Sequence, residues 1–235
     1  VDRYAELFDR ARAARIEVQL VTEPVLKALT DTTTPQGVVA VCEQLDVSLD
    51  DIIAGKPKLI ALLANIRDPG NAGTVLRAAD ASGADAVLFS ANSVDVYNPK
   101  VVRSTTGSVF HLPFAVDVDI EAAITKLKAA GLQVFAANGG GDTIPSLGDE
   151  TLAKPTVWVF GNEAWGLPES TRVLCDDVSA SRSTAGPSRS TRRWRAALFC
   201  SRPSGRTPTP CATSCSAMRS GRSVGVPVPE LAPGQ

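Results

Sequence analysis

The sequence lacks the patterns that mark membrane, secreted and metal-binding proteins. It has no apolar run long enough to span a membrane and no recognisable signal peptide, so we expect a cytoplasmic protein. Aromatic residues make up only 5% of the 235 residues, and the single histidine, His111, is expected to be structural. The five cysteines show no metal-type spacing with histidine, so we expect reduced thiols and no metal site. They are Cys42, Cys175, Cys200, Cys211 and Cys215.

Charge is distributed unevenly, although the formal net charge of −1 gives no global basic field for nucleic acid. Residues 1–178 contain 15 Lys and Arg against 24 Asp and Glu, whereas residues 179–235 contain nine Arg, no Lys and one acid. The latter segment also holds eleven Ser and seven Pro and shows neither helical nor strand periodicity. Such a composition is typical of a disordered basic tail.

A shifted reading frame is a second interpretation of the same segment, and it is the one we favour. Synonymous codons for residues 179–190 can be chosen so that a neighbouring frame reads Arg-Ile-Pro-Ile-His-Gly-Arg-Ala-Glu-Ser-Leu-Asn. That reading predicts a strand, a loop and a helix start, where the printed sequence predicts no element. Residues 179–235 are therefore expected to be an aberrant tail.

The first 56 residues predict a small α/β segment and a linker. Helical patterns cover residues 4–15 and 23–29, and strand patterns cover 17–21 and 38–42. The chain begins with Val1 and not with Met, and its first residues already resemble the middle of a helix, so we expect the front of a longer protein to be missing. We take residues 1–45 as a partial domain and 46–56 as a linker with a possible helical turn.

Residues 57–178 change to an alternation of strands and helices. Strands are predicted at 59–63, 86–89, 133–136 and 156–160, and helices at 71–82, 98–103, 120–130 and 168–174. This alternation predicts an α/β fold with a parallel sheet covered by helices on both faces. Ligands of such sheets bind at the carboxyl ends of the strands.

The first segment with chemical potential, residues 64–79, lies where a strand passes into a helix. Its Asp-Pro-Gly turn precedes Asn71, and Arg77 follows six residues later, so both side chains could lean toward one side. A protonated guanidinium can hold a phosphate or orient a hydroxyl, and a helix amino end attracts anions. On spacing alone, a plain helix start with a surface arginine is the favoured interpretation.

The second segment, residues 160–168, also follows a buried strand. Gly161 and Gly166 permit a tight turn, and Glu163 could orient other groups or take a proton. Trp165 could stack on a base or, alternatively, fill the core.

The third segment, residues 97–110, carries Lys100 and Arg103 on one helix face, followed by Ser104. These side chains could contact an RNA backbone, although a capped surface helix is an equally good interpretation. The Gly139–Gly141 run is not a dinucleotide fingerprint.

Taken together and in this order, the three segments resemble the SpoU (TrmH) family of RNA ribose 2′-O-methyltransferases over about residues 57–178. Residues 1–43 are similar to the end of a substrate-binding domain, related to a ribosomal-protein fold, that precedes many members. The resemblance implies a SPOUT-type, α/β-knot domain, a homodimer, S-adenosylmethionine as the methyl donor, and ribosomal or transfer RNA as the substrate.

The resemblance also implies roles for individual residues. Arg77 would engage the target ribose or phosphate and help activate the 2′-hydroxyl, supported by Asn71 and Glu163. The implied cofactor-binding residues are Ala137, Gly161, Asn162 and Gly166. The implied RNA-binding residues are Arg67, Lys100, Arg103 and Ser104.

The printed chain departs from the family after Val178. The third family motif, an Ile-Pro strand followed by Glu-Ser-Leu-Asn, closes the knot and contacts the cofactor in the family. The printed sequence lacks it, although synonymous codons can be chosen so that a neighbouring frame supplies it. We therefore expect weak or absent activity from this chain. A non-catalytic RNA-binding protein is the main alternative. A generic nucleotide-binding enzyme is less favoured, because no phosphate-binding glycine motif is present.

Overall fold

The computed structural model describes residues 2–143, 149–162 and 165–180 of the chain. The predicted aberrant tail and Glu163 lie outside these described residues, apart from Ser179 and Ala180. The chain divides into two compact units, with the boundary between Gln44 and Leu45. No helix within the described ranges is long and apolar enough to cross a membrane.

The first unit contains two of the predicted helices, α1 (Ala5–Ala13) and α2 (Glu23–Ala28). The strands predicted at 17–21 and 38–42 are wrong, since neither segment belongs to a sheet. A strand requires a hydrogen-bonding neighbour, and alternating side chains do not provide one. The phenol of Tyr4 donates a hydrogen bond to the carbonyl of Gln36 at 2.6 Å and ties the two ends of the unit together.

The second unit is built on a six-stranded sheet in which every pairing is parallel, which confirms the predicted fold class. Its strands lie in the order β3-β2-β1-β5-β4-β6. In chain order they are β1 (Leu59–Leu63), β2 (Ala86–Ser90), β3 (Phe114–Val118), β4 (Gln133–Thr143), β5 (Thr156–Phe160) and β6 (Asp177–Ala180).

Six helices accompany the sheet. They are α3 (Leu49–Ala54), α4 (Pro69–Ala81), α5 (Pro99–Thr105), α6 (Ile120–Ala129), α7 (Asp149–Leu152) and α8 (Glu169–Leu174). The alternating side chains of β1 enter two separate cores, Leu59 and Leu63 facing one and Ile60 the other. The first core receives the apolar side of α4 and α5, and the second receives α3 and α6. Helices therefore cover both faces of the sheet, as the sequence predicts.

The segment predicted to be a linker instead packs on the second unit. Ser48 caps α3 by accepting a hydrogen bond from the Asp51 amide at 3.1 Å, and Ile52 is buried in the second core. The amide of Val47 donates to the carbonyl of Phe114 in the edge strand β3 at 2.9 Å. Apolar residues at helical spacing in Leu49–Ala54 explain the difference, because they give the segment a face to bury.

Tyr97 fixes the start of this segment. Its phenol oxygen accepts hydrogen bonds from the amides of Leu45 at 2.7 Å and Asp46 at 2.9 Å. The phenol also donates a hydrogen bond to the Asp46 carboxylate. Burial, together with this hydrogen bond to Asp46, raises the pKa of Tyr97.

Asp176 fixes the entry into β6. Its carboxylate accepts hydrogen bonds from the amide of Val134 at 2.7 Å and from Lys128 Nζ at 2.6 Å. Burial acts to raise the pKa of this carboxyl, but the hydrogen bonds from Lys128 and Val134 outweigh burial and lower the pKa from its ordinary value. The chain is thus anchored where it enters β6.

Candidate functional site

The two principal motif segments begin side by side, because the strands that precede them are neighbours. Leu63, the last residue of β1, pairs with Phe160, the last residue of β5. Ala137 of β4 pairs with Phe160 from the other side. In a parallel sheet these carboxyl ends lie on one edge, so the turns that follow β1 and β5 emerge together beside Ala137.

Hydrogen bonds join the two turns directly. The amide of Ala64 donates to the carbonyl of Phe160 at 2.8 Å, and the side-chain amide of Asn162 donates to the carbonyl of Asn65 at 2.9 Å. Asn65 has a φ of +57°, in the left-handed region, and its amide donates to Ser90 Oγ at 2.9 Å. These contacts give Asn65, Ser90 and Asn162 supporting roles. The sequence provides no separate signal for Asn65 and Ser90.

Helix α4 begins at this junction, two residues earlier than the periodicity predicts. The Asp68 carboxylate accepts a hydrogen bond from the Asn71 amide at 2.7 Å, and Pro69 occupies the first helical position. An aspartate cap followed by proline is a favoured helix start, because the cap satisfies a free amide and proline lacks one. The apparent turn at Asp68–Gly70 is therefore the start of the helix itself.

The turn after β5 needs both of its glycines. The amide of Asn162 donates to the carbonyl of Gly166 at 3.1 Å, and the amide of Gly166 donates back to the carbonyl of Asn162 at 2.8 Å. Gly166 has a φ of +70°, and a Cβ placed on Gly161 would lie 2.4 Å from the carbonyl carbon of Gly166. The predicted tight turn is present, with residues 163 and 164 lying outside the described chain.

The predicted catalytic residues on α4 occupy different environments. Asn71 is half-buried in the first turn, whereas Arg77 is exposed two turns further on. Within the described residues, the Arg77 side chain forms no ion pair or hydrogen bond. The structure places both residues on the helix that starts between the joined turns. Their chemical roles remain predictions, as does that of Glu163.

Helix α5 brings Lys100 and Arg103 beside α4. Both side chains are exposed, and neither forms an ion pair within the described ranges. The two helices approach closely at Gly73, where a Cβ would lie 1.8 Å from Ser104 Oγ. Ser104 Oγ lies 2.8 Å from the carbonyl oxygen of Val101 and 3.1 Å from that of Pro69. Ser104 therefore has a packing role, and its predicted contact with RNA stays a prediction.

Trp165 lies on the surface, so the interpretation that it fills the core is wrong. Its side chain is 74% exposed, whereas Trp158 of β5 is fully buried. The guanidinium carbon of Arg67 lies over the Trp165 ring, 5.8 Å from its centroid. A residue of the first motif segment and one of the second are thus in direct contact. Within the described part of the chain, no cluster of His, Cys, Asp or Glu could hold a metal ion.

The parallel α/β sheet and the joined motif segments at its carboxyl edge define the class of the SpoU methylases, and comparisons with known proteins agree. The chain belongs to the SpoU rRNA Methylase family, which its residues 58–181 match. Residues 1–47 match a second family, RNA 2'-O ribose methyltransferase substrate binding.

Two curated relatives and one solved structure illustrate the similarity. The chain is 36% identical over 120 residues to the 23S rRNA (guanosine(2553)-2'-O)-methyltransferase RlmP of Bacillus subtilis, covering 51% of this chain and 46% of that protein. It is 36% identical over 146 residues to the 23S rRNA (uridine(2479)-2'-O)-methyltransferase of Streptomyces viridochromogenes, covering 60% and 50%. The matched part thus spans about half the length of these two relatives.

Among solved structures, the AdoMet-bound rRNA methyltransferase of Sinorhizobium meliloti is similar with a TM-score of 0.74 and 32% identity. The similarity covers 85% of this chain and 77% of that one. The fold of the second unit is therefore that of the family whose motifs it carries.

Proposed function

We propose that this protein is an RNA methyltransferase that transfers a methyl group from S-adenosylmethionine to a ribose 2′-hydroxyl. The single observation that carries the proposal is the hydrogen bond from Asn162 to the carbonyl of Asn65, which unites the two motif segments at one sheet edge. Several relatives are named as methyltransferases of 23S rRNA, which favours ribosomal over transfer RNA as the substrate.

The donor would be held at the tips of β4 and β5 by Ala137, Gly161, Asn162 and Gly166. Gly161 and Gly166 have no side chain, and Asn162 pairs with Gly166 through backbone hydrogen bonds, so peptide groups without a side chain stand at both ends of the turn. Such a surface fits a ligand that is recognised through backbone amides and carbonyls. When bound, S-adenosylmethionine supplies an electrophilic methyl group on its sulfonium.

Arg77 would act on the acceptor. Because a guanidinium keeps its proton at neutral pH, Arg77 holds the target phosphate or orients the 2′-hydroxyl by donating hydrogen bonds. Asn71 and Glu163 would support this geometry, with Glu163 as the acidic group able to receive the hydroxyl proton. The protein's main contribution is alignment of the oxygen with the methyl group, which accelerates a bimolecular transfer without a metal.

The RNA would be bound through local positive charge despite the acidic total of residues 1–178. Arg67, Lys100 and Arg103 are exposed, and none forms an ion pair within the described ranges. Exposed cations of this kind contact phosphates without reading sequence. Ser104 would support the same surface. We place the protein in the cytoplasm with its RNA and expect it to act as a homodimer, as implied by the family resemblance.

We expect this chain to be a weak catalyst as written. The family match ends at residue 181, close to the change in composition, and the third motif is missing from the printed sequence. The Arg-rich composition of residues 179–235 favours a second candidate function, RNA binding without methyl transfer. Salt-sensitive RNA binding with no methyl incorporation would support this candidate.

A single-turnover assay with excess protein tests the proposal on the chain as it exists. Incorporation of labelled methyl from S-adenosylmethionine into unmodified ribosomal RNA is measured, and the product is digested to locate a 2′-O-methyl nucleoside. We expect Arg77→Ala to lower the rate by at least about 100-fold while donor binding, measured by calorimetry, is unchanged. Lys58→Ala, an exposed cation at the opposite edge of the sheet, is the matched control.

Equal loss of donor binding and methyl transfer in Arg77→Ala would contradict the assigned role. No transfer by the wild-type chain, with RNA binding intact, would favour the non-catalytic alternative.

A further inference from the structure

The pair formed by Arg67 and Trp165 is the most unusual surface feature at the candidate site. Indole is among the largest apolar side chains, and 74% of this one faces solvent. The pair bridges the turn after β1 and the turn after β5, the two turns that Asn162 joins. Its position is therefore fixed by the same contacts that assemble the site.

We propose that Trp165, held by Arg67, is a stacking platform for an unpaired nucleobase of the RNA substrate. The inference deepens the proposed function and rests on it. Single-stranded RNA is recognised largely by stacking of splayed bases on aromatic rings and guanidinium planes. A ribose whose 2′-hydroxyl is aligned at the site carries its base with it, and that base needs a surface to occupy.

The contact with Arg67 favours a base over other occupants. The guanidinium lies over one face of the indole and restrains the side chain before RNA arrives. A restrained ring loses less conformational entropy on binding, and the positive charge beside it attracts a polyanion. An apolar protein partner would gain nothing from that charge.

The strands nearest to the Arg67–Trp165 pair favour RNA over the methyl donor as its ligand. Arg67 belongs to the turn after β1, which leads into α4 and Arg77. Ala137, expected to line the donor site, lies beyond β5 in β4. Trp165 therefore contacts the turn that leads into α4, the helix that carries the acceptor residues Asn71 and Arg77.

Binding of fluorescein-labelled single-stranded octauridylate to the full chain, followed by anisotropy, tests the platform. Matching probes are an octamer with abasic sites and a duplex of the same length. We expect Trp165→Ala to weaken octauridylate binding about tenfold or more, and to leave binding of the abasic octamer unchanged. Trp165→Phe should retain most of the affinity, because a smaller ring still stacks.

Three further variants separate stacking from charge and from lost apolar surface. Arg67→Ala should reduce the slope of affinity against salt by about one phosphate contact, whereas Arg67→Lys should keep the slope and lose part of the stacking affinity. Val173→Ala removes an apolar side chain that is 73% exposed on α8 and should change nothing.

Several outcomes would overturn the platform. Unchanged octauridylate binding by Trp165→Ala rejects it, and so does an equal loss against the abasic octamer. A selective loss of S-adenosylmethionine binding in calorimetry would assign the ring to the donor site, and a changed sedimentation coefficient would assign it to a protein contact. Absence of RNA binding by the wild-type chain would instead reject RNA binding altogether, which is distinguishable from failure of the platform alone.

Discussion

The side-chain amide of Asn162 reaches across the sheet edge and donates a hydrogen bond to the backbone carbonyl of Asn65 at 2.9 Å. The two residues are far apart in sequence, yet each stands at the start of a motif turn. Asn162 is buried, and Asn65 holds a left-handed conformation that is uncommon for a residue with a side chain. The bond therefore compensates for strain at one turn while it fixes the position of the other.

Loss of this bond should damage both stability and the donor site. We expect Asn162→Ala to lower the free energy of unfolding by about 1–3 kcal/mol, because a buried carbonyl loses its partner. The proposed function further predicts weaker binding of S-adenosylmethionine. Urea denaturation and calorimetry measure the two effects, and Asn92→Ala, at an exposed turn position, is the control. An Asn162→Ala variant equal to wild type in both measurements would contradict the role of the bond.

The close approach of α4 and α5 predicts that replacing a helical glycine by alanine lowers the stability of the protein, where such a replacement usually raises it. On an open helix surface, replacing glycine by alanine stabilises the helix by about 0.5–1 kcal/mol. At Gly73 the new Cβ would lie 1.8 Å from Ser104 Oγ, so we expect Gly73→Ala to destabilise the protein by about 1–3 kcal/mol. Removing the hydroxyl with Ser104→Ala should recover part of that loss.

A double-mutant cycle in urea checks the coupling between Gly73 and Ser104. The two helices would not be in the described contact if Gly73→Ala proved as stable as wild type, or if the two replacements were additive.

The hydrogen bonds to Tyr97 should protect two specific backbone amides from hydrogen exchange. Its phenol accepts hydrogen bonds from the amides of Leu45 and Asp46, immediately after the boundary between the units. In Tyr97→Phe, hydrogen exchange at these amides should accelerate at least about fivefold, equivalent to ~1 kcal/mol for a lost hydrogen bond. Tyr4→Phe removes the phenol that binds Gln36 instead, and should leave both amides unchanged. Equal exchange rates in all three proteins would show that the phenol does not hold the segment.

The Lys128–Asp176 pair predicts a pH dependence of stability. The pKa of Asp176 is lowered in the folded protein, so its contribution to stability is present above the ordinary pKa of an aspartate and is lost as the pH falls through the lowered pKa. The urea midpoints of wild type and Asp176→Asn should therefore differ at about pH 7 and converge as the pH falls below the carboxyl range.

The exposed pair of Asp50 and Lys126 provides a matched control for this measurement. Their side chains are 73% and 52% exposed, so Asp50→Asn should change the midpoint little at either pH. A gap between wild type and Asp176→Asn that widened toward low pH would reverse the assigned direction of the pKa shift.

The central strands could be predicted because their residue pattern coincides with their burial. Residues 157–160 form an uninterrupted apolar run after Thr156, and β5 occupies residues 156–160 with every residue buried. The edge strand β3 escaped prediction, since its alternation is broken at Asp117, which has a φ of +53°. The strand prediction in the first unit was wrong for the opposite reason. Residues 17–21 alternate as a strand does, but they pair with no strand among the described residues.

The candidate site was predictable as a set of segments but not as a set of contacts. Strand-end position and glycine spacing identify the turns around Asn71 and Gly161. Nothing in a linear sequence indicates that Asn162 binds the Asn65 carbonyl or that Arg67 lies over Trp165, because both contacts depend on β1 and β5 becoming neighbours. Ser104 shows the converse, a residue chosen for its hydroxyl that the fold uses to pack against Gly73.

The position of β5 between β1 and β4 has a consequence for the order of events on the ribosome. Strand β1 pairs with β5, whose first residue, Thr156, is synthesised long after Leu59. Until β5 has left the ribosome, one edge of β1 has no pairing strand. Strand β1 consists of apolar residues only. Such pairing between distant segments is slow, and an open apolar edge invites association with other chains. The pairing of β1 with β5 can therefore form only after most of the described chain has been synthesised. Until then, we expect the nascent chain to depend on chaperones.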